Sequence, residues 1–283
     1  MSIIASIYLR MTRVNDNNYQ KEFEKLVNNG ETFWMMPREI SDDIEQDFFE
    51  DIKYYYVNRN SNYKNVLFYI HGGYYLHQPL SFHVKMLKKI IKDKNTMLVF
   101  PVYPLAPFYT VEDSFEKMIR FFKKVQEENK DKRIILSGDS AGGGYALAMA
   151  ESLDKQPDKL LLLSPWVDIT MSNPEIERFK KVDPMLSIKK AMNAGESWKG
   201  KLPSDDYRVS PINGDLSIVD NVYLFVGTRE LFFPDNMLLY SKLELLRKNV
   251  SLYIGEGQNH VYPAFPCREG HHAIKQIIDI INE

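Results

Sequence analysis

One serine stands in a setting that would make it a nucleophile. In Gly138-Asp139-Ser140-Ala141-Gly142, glycines lie two residues to either side of Ser140, the spacing of a serine carried on a sharp turn between a strand and a helix. Any side chain at the flanks would crowd that turn, and its strain lifts the serine Oγ clear of the backbone. The pentapeptide alone is a weak signal, but its context is met on both sides. Ile134-Ile135-Leu136 leads in as an apolar β run, and a small-residue stretch from Ala141 leads out as a helix. At that helix start the Ala141 amide would point toward the carbonyl oxygen of a substrate attacked by Ser140 and stabilise the charge appearing there. The glycines fit neither a dinucleotide fingerprint nor a Walker A loop, which need Gly-x-Gly-x-x-Gly and Gly-Lys-Ser/Thr.

A serine nucleophile needs a base, an acid to orient the base, and donors for the oxyanion. His260 follows the last apolar β run in a glycine-rich loop, Gly255-Glu256-Gly257-Gln258-Asn259-His260, long enough to reach back to Ser140. His271 and His272 open a terminal helix and read as solvent-facing, while His71, His77 and His83 precede the serine. The chain order nucleophile, acid, histidine asks for a carboxylate after the run Val222–Val226, where Glu230 and Asp235 are the candidates. Asp235 also suits a helix N-cap, because it follows Pro234 and precedes a helical pattern. Upstream, His71-Gly72-Gly73 ends another β run, and paired glycines let backbone amides turn into a cavity.

The elements around these residues alternate. Val66–Ile70, Thr96–Phe100, Arg133–Leu136, Lys159–Leu163, Val222–Val226 and Ser251–Ile254 read as strands, the second stopped by Pro101 and Pro104. Helical periodicity lies around Phe82–Ile91, Val111–Val125, Ala141–Leu153, Asp235–Lys248 and Gly270–Ile281. That alternation predicts an α/β fold with a mostly parallel sheet flanked by helices, and Ile44–Val57 supplies antiparallel edge strands. Two segments break the pattern and are read as a small cap over the strand ends: residues 1–42, and an insertion at 170–211 with a short helix near Ile188–Met192. The core is then 43–283. Trp34, Tyr75 and Trp166, with Phe33, Met35, Met36 and Trp198, are expected to line an apolar substrate pocket.

With 36 Lys+Arg against 38 Asp+Glu, interspersed along the chain, the net charge of −2 gives no basic face for nucleic acid. The single cysteine, Cys267, excludes an internal disulfide. No apolar run is long enough to span a bilayer and the first residues lack the basic start of a secretory signal, so a cytoplasmic location is expected. A homodimer is the commonest oligomer, but no residue identifies an interface.

His71-Gly72-Gly73-Tyr74 and Gly138-Asp139-Ser140-Ala141-Gly142-Gly143 together resemble the hormone-sensitive-lipase-like esterases of the α/β-hydrolase superfamily, in their order and spacing. Ser164-Pro165-Trp166-Val167-Asp168, Gly227-Thr228-Arg229-Glu230-Leu231 and Asn259-His260-Val261-Tyr262-Pro263 are similar to further landmarks of that family. The resemblance runs from about Val66 to Tyr262. It implies an α/β-hydrolase fold and a carboxylesterase acting on small short- to medium-chain esters, with no metal or organic cofactor. Ser140, His260 and Glu230 would form the triad, Glu230 standing where the family usually has aspartate and Asp235 remaining the alternative acid. The oxyanion loop would act through the amides of Gly72, Gly73 and Tyr74 together with Ala141. Tyr74 departs from the family's third glycine, which puts bulky substrates in doubt, and His71 would hold the loop. The loop is also similar to that of arylformamidases, and receptors of this family bind ligands without turnover, so an amide hydrolase and a binding protein are the alternative readings.

Overall fold

The computed structural model describes residues 19–30 and 33–283. Eight strands form one sheet in the order β1-β2-β4-β3-β5-β6-β7-β8. They are β1 (Ile44–Phe49), β2 (Ile52–Val57), β3 (Asn65–Ile70), β4 (Thr96–Val102), β5 (Arg133–Asp139), β6 (Lys159–Leu163), β7 (Val222–Gly227) and β8 (Val250–Gly255). From β4 to β8 all pairings are parallel, whereas β1 and β2 form an antiparallel hairpin that extends the sheet beside β4. Helices α1 (Tyr19–Asn29), α2 (Ser81–Ile90), α3 (Val111–Glu128), α4 (Ser140–Ala150), α5 (Ile188–Lys199), α6 (Phe233–Leu245) and α7 (Arg268–Asn282) complete the described elements, together with short 3-10 turns.

Continuous apolar strands arise because helices cover both faces of the sheet. Val66, Phe68 and Ile70 of β3 pack toward α3 and α4, while Leu67 and Tyr69 between them join the core built with α2 and α7. Every residue of α4 is buried, and its small side chains let it lie against β5 and β6.

The expected elements are all present, with three boundaries moved by tertiary contacts. Strand β4 runs through Pro101, which pairs with Tyr54 of β2. Its parallel pairing with β3 has ended at Val99, so the missing N–H leaves no ladder partner unsatisfied there. The helix foreseen near Ile188–Met192 continues to Lys199, because Ala191, Ala194 and Trp198 give it a buried face. Ser187 caps its start, accepting from the Lys190 amide. Asp235 is not an N-cap, since α6 begins at Phe233 and places Asp235 inside its first turn.

A small cap subdomain lies between β6 and β7, made of the 3-10 turn Pro174–Arg178, α5 and their connections. The described residues of 33–42 differ from the expected cap. Met36 and Ile40 are buried in the core shared by α2 and α7, with Trp34 packed against it. Residues 1–18 of that expectation lie outside the described residues.

Candidate active site

The turn after β5 has the form foreseen for Ser140. Ser140 opens α4 with φ 52°, a left-handed conformation for a non-glycine residue, which costs roughly 1–2 kcal/mol and persists only where the surroundings over-determine it. The elbow is pressed onto the end of β3. A Cβ on Gly142 would stand 2.1 Å from the Ile70 carbonyl oxygen, and one on Gly138 would stand 2.3 Å from that of Gly142. Tyr74, Tyr75, Ser164 and Val261 are also left-handed, with φ of 59°, 60°, 48° and 52°, so conformational strain concentrates in the loops that meet here.

The loop after β3 comes directly against the serine, for a Cβ on Gly72 would lie 2.9 Å from Ser140 Cβ. The Gly72 amide is already committed, however, donating to Asp139 Oδ1 at 2.9 Å. That corrects the expectation for Gly72, which anchors the loop instead of facing the oxyanion. Asp139 also accepts from Tyr69 Oη at 2.7 Å and from His83 Nε2 at 3.2 Å. Burial opposes its charge, but His83, Tyr69 and the Gly72 amide prevail and hold its carboxyl below the usual carboxylate range. His83 is fixed in turn by the Leu80 amide, which donates to Nδ1 at 2.8 Å and leaves Nε2 as the protonated nitrogen. His71 holds the loop as expected: its Nδ1 lies 2.8 Å from the Gly72 carbonyl, and Tyr103 Oη donates to its own carbonyl at 2.9 Å. Burial pushes the His71 pKa down to about 3, so this imidazole stays neutral. As a first-turn amide of α4, Ala141 N–H has no intrahelical acceptor.

Glu230, rather than Asp235, meets the histidine. His260 Nδ1 is hydrogen-bonded to Glu230 Oε2, and both side chains are buried. Glu230 Oε1 accepts from the Gly227 amide and from Ser164 Oγ, each at 2.8 Å. Ser164 Oγ then accepts from the Val261 amide at 3.0 Å, bracing Glu230 and the residue after His260 through one hydroxyl. Ser164 was legible only as part of a landmark string. Asp235 instead accepts from Asn173 Nδ2 at 2.7 Å, and burial pushes its carboxyl up to about 6. Asp168 orders its own loop, accepting from the Thr170 amide at 2.8 Å and Thr170 Oγ1 at 2.6 Å. His271 and His272 are exposed on α7, and Cys267 Sγ caps that helix, accepting from the Gly270 amide at 3.4 Å.

Ser140 and His260 share a cavity of about 330 Å³ with Gly73, Tyr74, Phe82, Met185, Leu186 and Phe265 among its walls. The expected pocket aromatics are elsewhere. Trp34 stacks on Phe100 at 5.5 Å, and Phe33 lies under Lys53 Nζ. Tyr75 and Trp166 are buried beneath the loop, Tyr75 stacking on Trp198 at 4.6 Å and on Trp166 at 5.7 Å. Tyr74 thus lines the cavity while its neighbour Tyr75 is buried in the core. Met185 and Leu186 come from the cap, where nothing in local spacing marks them as pocket walls.

The profile of the α/β-hydrolase fold matches residues 67–264. The chain belongs to that family. The crystal structure of a "putative esterase" from Staphylococcus aureus is 30% identical and superposes with a TM-score of 0.87, covering 95% of this chain and 94% of that one. An esterase of Acinetobacter venetianus is 28% identical over 214 residues, which are 72% of this chain and 70% of that protein. A bacterial hormone-sensitive-lipase-family esterase shares the fold at TM-score 0.81 and 21% identity, covering 99% of this chain and 98% of that one. The activity of this scaffold is of the serine-hydrolase, carboxylesterase type. Among the described residues no helix is long and apolar enough to cross a membrane.

Proposed function

We propose that the protein hydrolyses small esters of short to medium acyl chains in the cytoplasm, with Ser140 as nucleophile, His260 as base and Glu230 as acid. The observation that carries this reading is the state of His260. Its Nδ1 is bonded to Glu230, while its Nε2 is buried without a hydrogen-bond partner among the described residues, in a ring that lines the same cavity as Ser140. Glu230 selects the tautomer protonated on Nδ1, so Nε2 keeps a lone pair for the Ser140 proton. Ser140 Oγ attacks the ester carbonyl as His260 takes that proton, and the amides of Gly73, Tyr74 and Ala141 receive the oxyanion. The imidazolium, stabilised by Glu230, protonates the leaving alcohol, and the acyl-enzyme is hydrolysed by water with the same base assisting. A cavity of about 330 Å³ suits a small ester.

Hydrolysis of p-nitrophenyl esters from acetate to octanoate by the wild type and by Ser140→Ala tests the assignment. Turnover strongest on the short esters and reduced by about 10⁴-fold or more in the variant is the expected result. A folded wild type inert toward every ester but active on an N-formyl aryl amide would replace esterase with amide hydrolase.

A further inference from the structure

Between the cap and the acid loop lies a carboxylate that the proposed reaction leaves unused. Asp183 follows the 3-10 turn Pro174–Arg178, where its own amide donates to the Phe179 carbonyl at 2.8 Å. Its Oδ1 accepts from the amides of Met185 at 2.7 Å and Leu186 at 2.9 Å, so the side chain folds the segment leading into α5. Its Oδ2 accepts from the Leu231 amide at 2.7 Å. One carboxylate thus holds two residues of the cavity wall and the peptide that follows Glu230.

The same short segment is held at two further points. The Ser187 amide donates to Tyr74 Oη at 3.3 Å, and Asn259 Nδ2 donates to Met185 Sδ at 2.9 Å. The oxyanion loop, the acid loop and the histidine loop therefore each grip residues 183–187. Of these grips the one through Asp183 involves a carboxylate, and hydrogen bonds to an ionised acceptor are the stronger kind. Burial pushes the Asp183 carboxyl up to about 6, with the Leu186, Met185 and Leu231 amides and the nearby His260 pulling it back. Enclosing this charge opposes folding, so the group is a costly way to shape a surface turn and an effective way to join two loops.

We propose that Asp183 is a positioning residue for the esterase reaction, locking the Met185–Leu186 wall and the Glu230 loop into one register so that acyl-chain preference and turnover are coupled. This inference rests on the esterase reading above. Asp183→Asn separates the two halves of the role. The amide oxygen still accepts from Met185 and Leu186, whereas the new NH₂ faces the Leu231 N–H, donor against donor. Asp183→Ser does the same by length, since a hydroxyl can hold the turn but falls short of Leu231.

The experiment is the acetate-to-octanoate series on both variants, with active sites counted by a fluorophosphonate and melting followed in parallel. Per titrated site, kcat on acetate is expected to fall about tenfold with KM within about twofold, as for a displaced triad with intact binding. The ratio of octanoate to acetate turnover should rise as the wall is released. Wild-type kcat and an unchanged ratio per titrated site, in whichever of the two variants folds, would overturn the proposal even if melting temperature dropped. A wild type inert toward all esters would instead remove the esterase reading, and this inference with it.

Discussion

Two buried histidine–carboxylate pairs each bring one member to the cavity that Ser140 lines, and they differ in what each histidine has left to offer. In the first, His260 Nδ1 meets Glu230 and Nε2 has no hydrogen-bond partner among the described residues. In the second, His83 Nε2 meets Asp139 and Nδ1 accepts from the Leu80 amide. A histidine with both nitrogens engaged cannot accept a proton without breaking a bond, so the second pair is a strut that ties the elbow to the start of α2, while the same Asp139 carboxylate holds the loop after β3 through the Gly72 amide. Pairing with a carboxylate does not by itself make a base. The proposed base needs a nitrogen left without a partner, and His260 has one beside the cavity it shares with Ser140.

The sharpest way to break this contrast is Glu230→Gln. Its oxygen would keep the bonds from Gly227 and Ser164, turning the NH₂ toward His260 Nδ1 and forcing the proton onto Nε2. That tautomer cannot receive the Ser140 proton, and kcat is expected to fall by about 10³–10⁴-fold with little change in KM. Steady-state kinetics on p-nitrophenyl acetate measures it. A loss of only a few-fold would mean that another group orients His260.

Asp139→Asn applies the same chemical change to the other pair. The substituted side chain would keep the Tyr69 and Gly72 donors on its oxygen but set an NH₂ against His83 Nε2–H. His83 cannot switch tautomer while Leu80 N–H occupies Nδ1. The expected cost is about 1–3 kcal/mol of stability, read by denaturant unfolding. Turnover should drop about tenfold as the oxyanion loop loosens, with the pH dependence of kcat unchanged. A loss as large as that of Glu230→Gln would erase the distinction between the pairs.

A third buried carboxylate has no histidine and is expected to affect stability alone. Burial first, and the charge of Asp215 second, push Glu151 up to about 9 despite Lys242 nearby. Its folded pKa lies above the unfolded value of 4.5, so the native state holds the proton more tightly and stability declines as pH rises from about 4.5 to about 9. Glu151→Gln should therefore gain roughly 1–3 kcal/mol at pH 7 and nothing near pH 4, leaving kcat untouched. Urea midpoints at the two pH values test it, and a pH-independent gain would contradict the assignment.

Legibility in the sequence divided along a physical line. The strands, helices and elbow were readable because each is encoded by neighbours: apolar runs, periodicity, and glycines two residues from Ser140. His260 was readable because a glycine-rich loop after the last strand has few places to go. Glu230 over Asp235 was readable only by resemblance, for both follow β7 at permissible distances. The aromatic wall of the pocket is not legible, since Trp34, Tyr75 and Trp166 carry the same chemistry whether they face a ligand or a core.

Local spacing thus determined the fold class and singled out Ser140 and His260 as the proposed nucleophile and base, because turn strain and periodicity act over a handful of residues. Tertiary structure alone decided which carboxylate pairs with His260, that the Gly72 amide is consumed by Asp139, and that Met185 and Leu186 of the cap complete the cavity. Those outcomes depend on the directions of side chains and amides brought together from distant positions. The Gly72–Asp139 bond spans 67 residues and the Ser187–Tyr74 bond 113, separations at which no local pattern specifies which donor meets which acceptor.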